Sequence, residues 1–253
     1  GRGLLNFLEL STEEKVLSLV TMEKNNAIKP ASNGFGAEPA KYLVMVTKNG
    51  RIKKTSLEEF DNVRKSGIIS IKLEKGDLLK KVVKTTGNDD IILTTKSGIS
   101  IRFKEKDIRP MGRGAAGVKG IRLKKDDEVI GIDVISSFAK ATEDKGKKPK
   151  QYLLVVMENG YGKRTEISQY RLQGRGGSGI KTAKITSKTG QIVLSSILED
   201  AVEGEDLIVI SQKGQVIRTS VKSISLLGRA TQGVRIMRME AGDKVASGAC
   251  LKD

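Results

Sequence analysis

The chain has 253 residues, and its 46 lysines and arginines exceed its 30 aspartates and glutamates by enough to give a formal net charge of +16. The complete absence of histidine excludes histidine-based catalysis, and a single cysteine, Cys250, excludes both an intrachain disulfide and the usual zinc sites. No apolar run reaches the roughly 18 residues of a membrane span and no signal-peptide pattern is found, so we expect a cytoplasmic protein with no membrane partner.

The chain is a series of related units. Residues 1–24 resemble only the second half of a unit, and four complete units follow at 42–86, 90–136, 152–199 and 206–251. Two polar segments, 25–41 and 137–151, interrupt the series and are predicted to be loops. The unit starts lie between 48 and 62 residues apart, which suits one small sheet per unit.

Each unit follows the same order of predicted elements. An apolar strand runs into a turn with a first glycine, and a second strand closes on an apolar residue ten positions later. A second glycine follows 17 to 19 residues after the first, and then an alternating strand, a turn and a final apolar strand. The first glycines are Gly50, Gly98, Gly160 and Gly214, and the second glycines are Gly67, Gly117, Gly179 and Gly233.

The pattern predicts an all-β fold with four antiparallel strands per unit. Only short stretches such as Ser56–Val63 are compatible with helix. Repeated small sheets are typical of a radial array of blades, because circular repetition protects the sheet edges. We therefore expect one domain over 1–253, a propeller-like ring of about five to six four-stranded blades whose first blade is incomplete.

A glycine-rich loop, "GRGGSG" at 174–179, matches the dinucleotide pattern G-x-G-x-x-G, as does "GRGAAG" at 112–117 in the preceding unit. Nucleotide binding requires a helix after the loop, whereas alternating strands follow here. We therefore interpret both loops as wide turns, and we expect no cofactor and no metal. Paired acids at 89–90 and 126–128 are interpreted as turn residues.

Basic residues recur at three fixed positions in all four units. Lys54, Arg102, Arg164 and Arg218 stand four residues after the first glycine; Arg64, Arg113, Arg175 and Arg229 stand three or four before the second; Lys72, Arg122, Lys184 and Arg238 stand five after the second. On a ring of blades, equivalent positions would form one continuous basic band. We therefore predict these twelve residues as the binding site.

Duplex DNA is the polyanion that such a band fits best. Aromatic residues make up 4% of the chain and tryptophan is absent, so the stacking platforms of single-strand and RNA binders are missing. No recognition helix is evident, which leaves binding through phosphates and shape. An anionic membrane surface is less favoured, because no basic amphipathic helix or anchored polybasic tail is found.

The repeats, with "NGYGKRT", "RFKEKDIRPMGRGAAGVKGIRL" and "LLGRATQGV", closely resemble the C-terminal domain of DNA gyrase A, a six-bladed β-pinwheel. The resemblance implies a non-catalytic domain that wraps duplex DNA in a positive sense, so that the ATP-driven holoenzyme, a type II DNA topoisomerase, can introduce negative supercoils. It also implies partners, namely the rest of gyrase A and gyrase B in a heterotetramer. ATP and magnesium would be used elsewhere in that holoenzyme.

The family carries a basic glycine-rich heptad close to Q-R-R-G-G-K-G. The residues Gln173, Gly174, Arg175, Gly176, Gly177, Ser178 and Gly179 are similar to it, although Gly174 and Ser178 replace two basic residues. We interpret this loop as a degenerate copy and expect the complete box upstream of Gly1. None of the four tyrosines, Tyr42, Tyr152, Tyr161 and Tyr170, is offered as the family's breakage nucleophile.

Two alternative functions remain open. One is the equivalent C-terminal domain of topoisomerase IV, which shares the fold. The other, from a different class, is a propeller scaffold that binds an acidic protein.

Overall fold

The computed structural model describes residues 16, 20, 40–63, 67–136, 150–199 and 205–251. The predicted half unit 1–24 and the predicted loops 25–41 and 137–151 therefore lie almost entirely outside the described residues, and so does Arg64.

The described residues form fifteen strands and four short 3-10 turns, so the all-β prediction is confirmed. The strands are β1 Tyr42–Thr47, β2 Arg51–Ser56, β3 Leu79–Thr85, β4 Asp90–Thr95, β5 Ile99–Lys104, β6 Val118–Lys119, β7 Val129–Ile135, β8 Gln151–Met157, β9 Tyr161–Glu166, β10 Ile180–Lys181, β11 Ile192–Glu199, β12 Asp206–Ser211, β13 Val216–Ser220, β14 Val234–Arg235 and β15 Val245–Leu251. The 3-10 turns are Leu57–Phe60, Glu105–Asp107, Ile167–Gln169 and Val221–Ser223. Each turn follows the second strand of its unit, so that strand ends earlier than predicted.

Every unit supplies three strands to its own antiparallel sheet. In the first sheet the central strand β1 pairs with β2 and with β3, and the other units repeat this order with β4, β8 and β12 at the centre. The central strands are continuous apolar runs rather than alternating ones; in β1, for example, all residues after Tyr42 are buried. A strand with this pattern is covered on both faces, which is what packing between two neighbouring sheets provides.

The fourth strand of a sheet comes from the following unit, which corrects the prediction that each unit builds its own four-stranded blade. The short strand β6 of the second unit pairs with β2 of the first, with Ile52 opposite Val118. In the same way β10 pairs with β5, and β14 pairs with β9. Three described sheets therefore have four strands, and the sheet of β13, β12 and β15 has three among the described residues.

Glycine permits this strand donation, because the donated segment lies directly against the backbone of the preceding unit. The carbonyl of Gly98 accepts hydrogen bonds from the N–H groups of Thr182 (2.7 Å) and Ala183 (3.3 Å). A Cβ placed on Gly98 would lie 2.7 Å from the carbonyl oxygen of Ala183, and the residue has a φ of +82°. A side chain at this position would therefore block the approach of the donated strand.

The hydrophobic core lies between adjacent sheets. One cluster joins Val46 and Ile52 of the first unit to Leu93 and Phe103 of the second, and two further clusters connect the second unit to the third and the third to the fourth. Strands β3, β7, β11 and β15 contact one another in sequence and so line one side of the array. We call the opposite side, formed by β6, β10, β14 and the loops preceding them, the outer edge.

Candidate nucleic-acid interface

The three recurring basic positions lie in different surroundings. We call Lys54, Arg102, Arg164 and Arg218 the anchor cations, Arg64, Arg113, Arg175 and Arg229 the loop arginines, and Lys72, Arg122, Lys184 and Arg238 the edge cations.

The anchor cations of the first three units bind the next unit of the protein. Lys54 is only 4% exposed, and its ammonium lies 3.5 Å from Oε1 of the fully buried Glu105. It also donates a hydrogen bond to the carbonyl of Glu105, at the start of the 3-10 turn of the second unit, at 3.2 Å. The prediction that Lys54 belongs to an exposed band is therefore wrong.

Arg102 and Arg164 repeat this arrangement. Arg102 donates to Asp90 within its own sheet (2.6 and 3.0 Å) and to the carbonyls of Ile167 and Tyr170 in the third unit, both at 3.2 Å. Arg164 donates to the carbonyls of Ile224 (2.8 Å) and Lys222 (3.1 Å) in the fourth unit. Each of these cations thus donates to carbonyl groups at or next to the 3-10 turn of the following unit.

Arg218 is the exposed member of this group, and it pairs with Asp206 at 2.5 Å. A basic residue four positions after the first glycine can therefore either bind the next blade, as in the first three units, or lie exposed, as Arg218 does. Sequence alone offers no means of separating these two interpretations.

The loop arginines lie at the outer edge and are half-buried where described. Arg175 donates to the carbonyls of Lys119 (2.6 Å) and Asp107 (3.0 Å), and Arg229 donates to the carbonyl of Lys181 at 3.0 Å. Arg113 lies 3.7 Å from a carboxylate oxygen of Glu59. Both Lys119 and Lys181 belong to the outer strand of the preceding unit, so Arg175 and Arg229 hold their loops against that strand.

All four edge cations are exposed. The backbone N–H of Lys72 donates to Ala115 (3.2 Å), that of Arg122 donates to Gly177 (2.8 Å), and that of Lys184 donates to Thr231 (3.0 Å). Each acceptor carbonyl belongs to the arginine-containing loop of the following unit. The backbone therefore connects each of these edge cations to the next loop arginine, and basic groups follow one another along the outer edge.

The box-like loop 173–179 is part of this edge. Gln173 N–H donates to the carbonyl of Arg102 and Gly176 N–H donates to the carbonyl of Gly120, both at 2.8 Å. Strand β10 follows the loop, where a phosphate-binding loop would be followed by a helix, so the geometry supports the interpretation of the loop as a wide turn.

The paired acids act within the fold. Asp127 accepts hydrogen bonds from the N–H groups of Ser97 (3.1 Å) and Glu128 (2.9 Å), which joins the two turns of its unit, and Asp90 pairs with Arg102. In the part of the chain that the structure describes, no group of three or more metal-ligating side chains is present.

Two of the tyrosines have a shifted pKa. Burial raises the pKa of Tyr170, which is 1% exposed and hydrogen-bonded to Thr182. A hydrogen bond from Arg235 lowers the pKa of Tyr161, whose ring also lies 5.6 Å from the ammonium of Lys188. Both residues contribute to the core cluster between the second and third units.

Sequence reasoning missed three buried charged residues next to this interface. Glu105 accepts hydrogen bonds from Thr85 Oγ1 (2.8 Å) and from the N–H of Gly87 (3.0 Å), and it pairs with Lys54. Lys53 and Lys163 are both 0% exposed. The only available signal was the doubled cation, "KK" at 53–54 and "KR" at 163–164, because neighbouring residues of a strand point to opposite faces.

Comparison with known proteins agrees with this geometry. DNA gyrase A of Staphylococcus epidermidis is 42% identical over 247 residues, covering 98% of this chain and 25% of that protein. DNA gyrase A of Staphylococcus aureus is 37% identical over all 253 residues, covering 26% of that protein. The chain therefore spans about a quarter of the length of these relatives.

Two solved structures share the fold. The C-terminal domain of DNA topoisomerase IV superposes with a TM-score of 0.81 at 22% identity, covering 100% of this chain and 71% of that one. The DNA gyrase A C-terminal domain superposes with a TM-score of 0.78 at 24% identity, covering 98% of this chain and 74% of that one.

Among the described residues there is no helix with the length and hydrophobicity that a membrane span requires.

Residues 41–86, 89–136, 151–194 and 205–252 each match the family described as DNA gyrase C-terminal domain, beta-propeller. The four matches together cover more than half of the chain, and the resemblance inferred from the repeats is confirmed. The chain belongs to the DNA gyrase C-terminal domain family.

Proposed function

We propose that this chain is the DNA-wrapping part of a gyrase A protein and that its outer edge binds the phosphates of duplex DNA. The wrap lets the holoenzyme introduce negative supercoils, while DNA cleavage and ATP hydrolysis are carried out in other parts of that assembly. On this proposal the chain works in the bacterial cytoplasm, joined to the rest of gyrase A and assembled with gyrase B.

The observation that carries the proposal is the linkage of exposed cations from unit to unit along one edge. Lys72, Arg122 and Lys184 each donate a backbone hydrogen bond to the arginine loop of the following unit. A duplex that follows this edge would meet a loop arginine and an edge cation at the second, third and fourth units, and phosphate contacts of this kind require no base reading.

The number of cations matters for bending. Smooth bending of 20 to 30 base pairs through 40 to 90 degrees costs on the order of 1 to 6 kcal/mol. A single exposed ion pair gives at most about 1 kcal/mol. One basic patch could therefore bind DNA without holding it bent, whereas an edge with two cations per unit can do both, largely through counterion release.

The alternatives fit less well. The topoisomerase IV domain shares the fold at 22% identity, whereas the curated relatives at 37% and 42% identity are gyrase A proteins. A scaffold for an acidic protein would also use a basic edge, but it would not require that edge to continue from unit to unit.

The first experiment measures affinity of the full 253-residue chain for a 30-base-pair duplex by fluorescence anisotropy at several salt concentrations. We expect the logarithm of the affinity to fall with the logarithm of salt at a slope of about 0.9 per phosphate contacted, for several phosphates. A slope near zero, or no binding, would refute DNA binding.

The second experiment tests wrapping. The chain is incubated with nicked plasmid, the nick is ligated, and the linking number is read on a gel after the protein is removed. A shift in the positive sense that grows with protein concentration supports chiral wrapping, and DNA binding without any shift would reduce the proposal to simple DNA binding.

A further inference from the structure

Two buried lysines contact the loops that carry the loop arginines. Lys53 and Lys163 occupy the same position in the first and third units, three residues after the first glycine. The ammonium of Lys163 donates to the carbonyls of Gly228 and Arg229, both at 2.7 Å, and to Oγ1 of Thr231 at 3.0 Å. All three acceptors belong to the arginine loop of the fourth unit.

Lys53 makes the equivalent contact one junction earlier. Its ammonium donates to the carbonyl of Arg113, in the arginine loop of the second unit, and to the carbonyl of Ser70 at 2.6 Å. In both cases the lysine reaches out of its own sheet and binds the backbone at or beside the loop arginine of the following unit.

Such a contact is costly, because a buried ammonium loses its hydration. Burial is the main reason that the pKa of Lys163 is lowered from 10.5 to about 8, and the neighbouring Arg229 lowers it further. Burial also lowers the pKa of Lys53, where Glu59 acts in the opposite direction and Arg113 in the same one. A sequence that needed only packing here would place an apolar residue at both positions.

The second and fourth units do place an apolar residue there. Ile101 and Ile217 stand where the other two units have lysine. The box-like loop therefore rests on Ile101, whose Cδ1 lies 3.4 Å from the Cβ position of Gly177, and Arg175 holds that loop through its own guanidinium. The chain thus contains loops of the same family with and without a lysine beneath them.

We propose that Lys163, and by the same geometry Lys53, are positioning residues that hold the arginine loop of the following unit in its phosphate-binding conformation. The inference rests on the proposed function, since it concerns how the outer edge binds DNA. Lys163 touches no phosphate itself and acts through Arg229.

A double-mutant cycle separates positioning from a general effect on stability. Affinity of the full chain for the 30-base-pair duplex is measured for wild type, Lys163→Met, Arg229→Ala and the double variant. We expect Arg229→Ala to weaken binding roughly fivefold in the wild-type background, as for loss of one exposed ion pair. In the Lys163→Met background the same change should cost less than about twofold, because the two residues act as a unit.

Arg175→Ala provides the matched control, because Ile101 lies beneath its loop. It should weaken binding by a similar factor in both backgrounds. If Arg229→Ala costs the same with and without Lys163, the inference is overturned while DNA binding stands. If wild type does not bind the duplex at all, the proposed function fails and this inference fails with it.

A second measurement covers the case in which Lys163→Met does not fold. The cost of Arg229→Ala is then compared at pH 7 and pH 9.5 in the otherwise wild-type chain. A neutral amine has two hydrogens for three acceptors, so the cost should shrink at pH 9.5, whereas the cost of Arg175→Ala should not. An equal cost of Arg229→Ala at both pH values would overturn the inference.

Discussion

Replacing a first glycine by alanine tests the exchange of strands between units. At Gly160 a Cβ would lie 2.3 Å from the carbonyl oxygen of Met237, in the segment that the fourth unit donates, and the residue has a φ of +76°. A left-handed conformation costs a non-glycine residue about 1 to 2 kcal/mol. Forcing the donated backbone away adds about 1 to 3 kcal/mol, as for an overpacked site.

The fourth unit supplies a matched control. Gly214 has a φ of +86°, but nothing lies within 4 Å of its Cβ position, and no donated strand is described on its sheet. Gly214→Ala should therefore lower the free energy of unfolding only by the cost of the left-handed backbone conformation, about 1 to 2 kcal/mol. Urea unfolding of the full chain should show Gly160→Ala to be less stable than Gly214→Ala by about 1 to 3 kcal/mol. Equal losses for the two variants would show that the donated segment does not lie on Gly160, and the strand exchange would be refuted.

Three further predictions concern the cations. Arg102→Met should lower the free energy of unfolding by about 2 kcal/mol, because it removes charge-assisted hydrogen bonds to Asp90 in the same sheet and to the carbonyls of Ile167 and Tyr170 in the next blade. It should leave the salt slope of DNA binding unchanged, and a changed slope would show that Arg102 contacts phosphate. Arg122→Gln should lower that slope by about 0.9 and change stability by less than about 0.5 kcal/mol, whereas Lys213→Gln, at an exposed cation that is neither a loop arginine nor an edge cation and that donates to the carbonyl of Ala241, should leave the slope unaltered. Because the pKa of Lys163 falls from 10.5 to about 8 on folding, the unfolded chain binds more protons between these values, so this group adds stability as the pH rises through that window. The stability of wild type relative to Lys163→Met should accordingly increase from pH 7.5 to pH 9.5 in urea unfolding, and a decrease would contradict the lowered pKa.

The repeat and its strands could be predicted because they depend on local pattern. Apolar runs such as β1 and β8, and the glycines that follow them, identify the all-β units without any knowledge of what packs against them. The four residues predicted to close the second strands, Phe60, Ile108, Tyr170 and Ile224, are all buried. These features need no information about the neighbouring unit.

The pairing of the third strand could not be predicted in the same way. A segment such as β6 can form hydrogen bonds with its own sheet or with the preceding one, and its alternating pattern is the same in both cases. The choice depends on the distance between units in space, for which the sequence offers no measure. The same limit explains why residue spacing predicts a surface position for Lys54 and does not identify the buried Lys163.

On the proposed function, the division of the cations changes which residues would contribute to DNA wrapping, but it does not remove the basic edge. Among the described residues, three of the twelve predicted cations bind the next blade, while four edge cations and three loop arginines remain exposed or half-exposed. At up to about 1 kcal/mol each, these seven groups can offset a bending cost on the order of 1 to 6 kcal/mol. On the proposed function the cations between blades would contribute in another way, because their hydrogen bonds connect successive units and so help to set the curvature of the outer edge. A charge count alone treats every cation alike. The contacts show that the anchor cations of the first three units bind the next unit, that Arg175 and Arg229 bind the preceding one, and that the side chains of the edge cations are exposed.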